Sequence, residues 1–153
     1  MPVRIDPDSM GFLVTDVARL IRAEMDRRIA EAGLGLTAGE GRTLVHIARA
    51  GAVRQTDLAE RMGVEAMTVT GFLDRLESKG LVERVPDVAD RRAKRVLLTD
   101  AAEKLLEKIT PLSAGLRADA SAGLSPEEWA RFLDVLKTVR TNLTAARSVG
   151  AAA

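Results

Sequence analysis

The chain has no cysteine, which excludes disulfides, thiolate nucleophiles, cysteine-held zinc and thiol redox sensing. It has no tyrosine and a single histidine, His46, so triad and imidazole–metal chemistry lack their parts. Aromatics are scarce: Phe12, Phe72, Trp129 and Phe132 stand at helical spacing, where each is read as core rather than as the wall of a ligand pocket. No apolar run approaches the roughly 18 residues that span a bilayer. Met1 to Ser9 carries Pro2, Asp6, Pro7 and Asp8 where a signal peptide needs an apolar stretch. Gly33-Leu-Gly-Leu-Thr-Ala-Gly39 follows a helix rather than a strand and is no dinucleotide fingerprint. These absences point to a cytoplasmic protein with no membrane partner, metal or cofactor, and to something other than an enzyme.

What is present fits one domain: 153 residues with 46% hydrophobic content, enough for a single core. The net charge of +1 announces no nucleic-acid partner, so the distribution of charge decides. Of the nine basic residues between Arg54 and Arg95, four (Arg91, Arg92, Lys94 and Arg95) fall together in the chain's one dense positive spot.

Helical periodicity begins at once. Phe12, Leu13, Val17, Leu20, Ile21, Met25 and Ile29 recur at steps of three and four, predicting a helix over 9–32 closed by Gly33 and Gly35. At about 36 Å it exceeds what a small core needs, so part of its apolar stripe is free to face another subunit. Thr37-Ala-Gly-Glu40 is a capping box opening a second helix that ends near Ala50-Gly51 and carries His46, read as a surface or boundary side chain. Gly41 in this helix either loosens it or opens space for a ligand.

A short helix, Thr56 to Met62, then Gly63-Val64, then a helix from Ala66 to Lys79 make a helix-turn-helix pattern. Leu81 to Val85 and Lys94 to Leu98 read as strands around a charged, turn-rich tip. A helix-turn-helix followed by a basic hairpin is the winged form. Thr99 caps a further helix with a kink expected near Thr110, because Pro111 lies inside it, and an end at Gly123. Ser125-Pro-Glu-Glu128 caps a last amphipathic helix, leaving Val149 to Ala153 as a frayed tail.

The segment from Leu36 to Thr99 resembles the MarR (multiple antibiotic resistance regulator) family of winged-helix repressors. The similarity lies in Arg54-Gln-Thr-Asp-Leu-Ala-Glu-Arg-Met-Gly-Val64, Met67-Thr-Val-Thr70, Leu73-Asp-Arg-Leu-Glu77, Lys79-Gly-Leu-Val-Glu-Arg84, Asp90-Arg-Arg-Ala-Lys94 and Leu98-Thr99. The flanking helices are similar in length and order. The resemblance implies a mainly α fold with a small β-hairpin wing. Its winged lobe covers about 37–98, and its dimerisation helices cover about 9–32 and 99–147 of one domain over 1–153. It also implies a homodimer that binds a pseudo-palindromic operator in double-stranded DNA and represses until a small aromatic or anionic effector releases it.

Within that frame each residue has a physical task. Arg91 and Arg92 suit a narrow, electronegative minor groove, Lys94 adds charge, and Asp90 is expected to pair with an arginine and fix the wing. Met67, Thr68 and Thr70 face the major groove, where hydroxyls meet base edges and methyl groups meet thymine. Arg75 is placed for a phosphate or a guanine; the competing readings are helix capping for Thr68 and pairing near Glu77 or Asp74 for Arg75. Gln55 and Thr56 open the preceding helix and can donate to phosphate. Relatives often carry a basic residue near Gly71 and a polar pair at Glu65-Ala66, so direct readout here is thin. The near-neutral lobe leaves a second reading open, a winged-helix protein-interaction module without DNA binding.

Overall fold

The computed structural model describes residues 2–151; Met1 and the last two residues of the expected tail, Ala152 and Ala153, lie outside it. The chain forms two compact units, Met1–Leu116 and Arg117–Ala153. The first contains α1 (Met10–Glu31), α2 (Ala38–Ala50), β1 (Val53–Arg54), α3 (Gln55–Met62), α4 (Ala66–Ser78), β2 (Val82–Pro86) and β3 (Lys94–Leu98). It also holds most of α5 (Asp100–Ala120), while α6 (Pro126–Gly150) belongs to the second unit.

Local chemistry sets these boundaries. The Thr37 hydroxyl accepts from the Glu40 N–H and the Glu40 carboxylate accepts from the Thr37 N–H, both at 3.2 Å, so the capping box that opens α2 is complete. Ser125 and Glu128 repeat the device at α6, at 2.7 and 3.1 Å. Gly63, at φ +64°, supplies the left-handed residue that lets α3 end and α4 begin within a tight turn. Pro111 does not break α5, which continues through it as one element. Val149 and Gly150, expected in the tail, close α6 instead.

Leu44, Ile47, Leu58, Val69, Leu73, Leu76, Val82 and Val96 are fully buried and join α2, α3, α4 and the sheet in one core. The sheet has order β1-β3-β2, with Val82 opposite Leu98 and Pro86 opposite Lys94. β1 is only Val53 and Arg54, paired with Val96 and Arg95. It ties the entry of α3 to the wing.

Two helices depart from the expected core. Phe12 is 50% exposed on α1, along with Leu13, Val17, Leu20 and Ile21, and Ile29 is the one buried residue of that helix. α6 buries no residue and leaves Phe132, Leu133, Val135 and Leu136 exposed. Phe12 and Phe132 are therefore not core. Monomeric proteins seldom leave such contiguous apolar faces to water.

The glycines flanking Glu40 mark close packing. A Cβ on Gly39 would lie 2.3 Å from Phe72 Cε1 and Cζ, and one on Gly41 would lie 3.0 Å from Ile29 Cδ1 and Cγ2. Gly41 thus opens no space for a ligand, because Ile29 of α1 already fills it. Helix propensity favours alanine over glycine by about 1 kcal/mol, yet overpacking costs about 1–3 kcal/mol. Gly39→Ala is therefore expected to lower the melting temperature, as read by circular dichroism, whereas an unhindered site would raise it.

Candidate nucleic-acid interface

Three elements converge on one side of the first unit: the start of α3, the start of α4, and the strand leaving the wing. They enclose a cleft of about 240 Å³ lined by Gln55, Thr56, Ala66, Arg92, Ala93 and Lys94. Gln55 Nε2 donates to Thr70 Oγ1 at 2.7 Å, and Thr70 Oγ1 donates to the Ala66 carbonyl at 3.0 Å. These two candidate DNA residues thus fix the angle between α3 and α4. Thr56 is exposed at the first turn of α3, whose leading N–H groups have no helical partners. Met67 is 87% exposed and Thr68 is exposed beside it. Glu65 occupies the cap position of α4 without a side-chain cap bond, so Thr68 is no helix cap.

The wing is built on a different aspartate from the one expected. Asp87 is buried, and Arg54 Nε and Nη2 donate to its two oxygens at 3.1 and 2.9 Å. Arg95 Nε approaches it to 3.2 Å. The Ala89 and Asp90 N–H groups donate to its Oδ1 at 2.9 and 3.0 Å. The Arg54 guanidinium above all, helped by those two N–H groups, holds the Asp87 carboxyl at about 2 against the opposing push of burial. Asp90 pairs with no arginine among the described residues; its carboxylate accepts the Arg92 N–H at 3.0 Å and shapes the turn. Arg91, Arg92 and Lys94 are exposed, and none of them forms an ion pair among the described residues. Three cations are thus presented on a tip whose base is rigid.

Arg75 has a partner that neither reading supplied. Its Nε donates to Glu40 Oε1 at 2.9 Å, and Lys79 Nζ donates to Glu40 Oε2 at 2.5 Å. The Arg75 guanidinium also lies 5.4 Å from the centre of the Phe72 ring. Glu40 is fully buried, which by itself raises its pKa; Lys79, the Thr37 N–H and Arg75 together outweigh that and hold it below its ordinary value. Glu77 and Asp74, the partners considered from sequence, both accept from Arg84 instead. Sequence spacing could not reveal the Glu40 pairs, since their members are 35 and 39 residues apart.

A second concavity, of about 540 Å³, lies between α1, α2 and α5, with Arg22, Arg42, His46 and Arg49 among its walls and Ile21, Met25 and Val45 supplying apolar surface. His46 is half-buried, a boundary side chain as expected, and it lines this concavity. Burial first, then the charges of Arg49, Arg42, Arg22 and Arg61, push its pKa below the usual imidazole value. Arg42 is itself paired with Asp26, Nε to Oδ1, at 3.2 Å. Among the described residues no helix is long and apolar enough to cross a membrane, and no three histidine, aspartate or glutamate side chains cluster as a metal site.

A two-helix reader, a three-stranded sheet and a cationic hairpin tip define a winged helix-turn-helix protein. Residues 36–94 match the profile of the MarR family. Transcriptional regulator PA3341 is similar at 38% identity over 88% of this chain and 98% of its own, with a TM-score of 0.73. A mutant MarR from E. coli, solved in complex with operator DNA, is similar at 28% identity over 86% and 94%, with a TM-score of 0.67. BpsR of Bordetella bronchiseptica, whose DNA binding is regulated by 6-hydroxynicotinic acid, shares the fold at 24% identity over 91% and 98%, with a TM-score of 0.69. The chain belongs to the MarR family.

Proposed function

We propose that the chain is a dimeric, cytoplasmic, DNA-binding transcriptional regulator that represses until an effector releases it, and not an enzyme. One observation carries this most directly: the starts of α3 and α4 share one cleft with the wing cations Arg92 and Lys94, neither of which forms an ion pair among the described residues. That arrangement matches a duplex surface, with α4 in the major groove and the wing along the neighbouring minor groove. Family membership favours this over a protein-interaction module. The reading assigns residues 37–98 to the DNA-binding lobe. Gln55, Thr56, Met67, Thr68 and Thr70 belong to its helical part, and Arg91, Arg92 and Lys94 to its wing. Asp90 shapes the tip, and Arg75 reaches phosphate at most. Residues 9–32 and 99–147 are assigned to the pairing of two copies, with the exposed apolar stripes of α1 and α6 as the surfaces for it.

Selection from a random duplex pool tests the assignment. The expected product is an inverted repeat with half-sites about 10 base pairs apart, bound by two chains. Failure to enrich any duplex at low salt would defeat it.

The cavity between α1, α2 and α5 suits an effector that pairs an apolar body with an anionic group, for which benzoate is a simple probe. Benzoate is expected to weaken duplex binding. Its carboxylate beside His46 would raise the pKa that burial and the arginines depress, so binding takes up a proton and tightens as pH falls through and below about 6.5. Tighter binding at pH 5.5 than at pH 8 is expected by calorimetry, since an opposite charge at contact favours the protonated imidazole. His46→Gln should flatten that profile. A flat profile in the unaltered protein would place the anion elsewhere.

A further inference from the structure

We infer that the recognition helix reads its operator through thymine methyl groups, with Met67 and Thr68 as the specificity-determining residues and no arginine reading guanine. The inference rests on the regulator reading and adds the chemical class of sequence that such a protein selects.

Arginine set bidentate on guanine is the commonest specific contact in the major groove, and it needs a free guanidinium fork. α4 carries one arginine, Arg75, and its Nε is already committed to the buried Glu40 while its guanidinium carbon lies over the Phe72 ring. Pulling it away would leave Glu40 with half its compensation in a site closed to water. The neighbouring Arg84 is held by Asp74 and Glu77 of the same helix. Arg54, which leads into α3, is held bidentate by Asp87. Thus Arg54, Arg75 and Arg84 are engaged within the protein, and the arginine that lines the cleft beside Ala66, Arg92, stands on the wing rather than on the reading helix.

The amide and hydroxyl groups are partly engaged too. Gln55 gives an amide hydrogen to Thr70, and the Thr70 hydroxyl hydrogen goes to the Ala66 carbonyl. What the first turn of α4 offers to solvent is the Ala66 methyl, the long apolar Met67 side chain, and the methyl and hydroxyl of Thr68. No charged or amide head stands among these three. The complementary base-edge group is the C5-methyl of thymine, the one apolar group that the major groove displays. At the other end of the lobe, Arg91 and Arg92 are exposed and suited to a narrow minor groove, which A-tracts provide. Both elements favour A·T pairs.

The experiment takes the duplex recovered by selection and replaces thymines one position at a time by deoxyuridine, which removes only the methyl group. One or two positions in each half-site are expected to lose about fourfold in affinity, or about fifteenfold when both half-sites are changed, the worth of one buried methyl-sized group at each. Met67→Ala, at a residue too exposed to threaten folding, should abolish part of that discrimination. Thr68→Val, which keeps a methyl, should retain it, and Thr68→Ser should lose it. The opposing probe is 7-deazaguanine, which lacks the N7 acceptor that an arginine fork would use. Uniform tolerance of deoxyuridine with a steep loss on 7-deazaguanine substitution overturns the inference while leaving the regulator reading intact. Retention of no duplex at all overturns both.

Discussion

Replacing Arg91 and Arg92 together by alanine is expected to weaken duplex binding by at least about 100-fold at moderate salt while leaving the melting temperature within about 4 °C. Each guanidinium is exposed and has no ion-pair partner among the described residues, so its loss removes no such contact, and surface changes of that kind stay within about 0.5 kcal/mol. On DNA the same two charges act in a groove where potential is focused. Each neutralised phosphate contributes about 0.9 to the slope of log affinity against log salt. Two residues in each of two subunits should therefore reduce that slope by about four, against about two for a single bound copy. Fluorescence anisotropy at several salt concentrations reads both quantities. A variant that lost its fold instead would show that the wing arginines are structural.

The second large effect concerns stability. Arg75→Ala combined with Lys79→Ala leaves the fully buried Glu40 carboxylate without its two cations. Stranding a buried charge costs about 3 kcal/mol, which in a domain of this size is about 6–12 °C of melting temperature. The sign of the pH dependence checks the cause. In the unaltered protein the folded-state pKa of Glu40 lies below its ordinary value, so its contribution is present at neutral pH and fades as pH falls below about 4.5. In the variant the balance reverses, burial favours the protonated acid, and the gap from the unaltered protein should narrow on acidification. Adding Glu40→Gln to the double variant should recover part of the loss at neutral pH, because an amide needs no countercharge. Equal stability of the double variant and the unaltered protein would mean that the cations contribute nothing there.

Much of the fold was legible because local chemistry dictates it. Both capping boxes close as their spacing requires, and Gly63 takes the left-handed turn that separates α3 from α4. The wing strand Lys94–Leu98 falls where its residues place it. β1 was not legible, since two residues carry no period and gain their hydrogen bonds from β3 more than 40 positions away. The wing aspartate was misassigned for a related reason. Asp87 and Asp90 flank the same turn, and only the folded register decides which faces Arg54 and Arg95. Phe12 and Phe132 show a third limit. Helical spacing identifies an apolar face, but it does not tell whether that face meets the chain's own core or remains exposed on the single chain. At the candidate interface, the exposed Met67, Arg91 and Arg92 follow from sequence, whereas the commitment of Arg75 to Glu40 depends on tertiary packing.

Hydroxyl-radical footprinting of the selected duplex tests the central claim most directly, because it reports where along each strand the sugars are covered. Two protected half-sites about one helical turn apart are predicted, each flanked by minor-groove protection that disappears in the Arg91/Arg92 variant while the central protection remains. A single unpaired footprint, or flanking protection unaffected by loss of both arginines, would contradict the account.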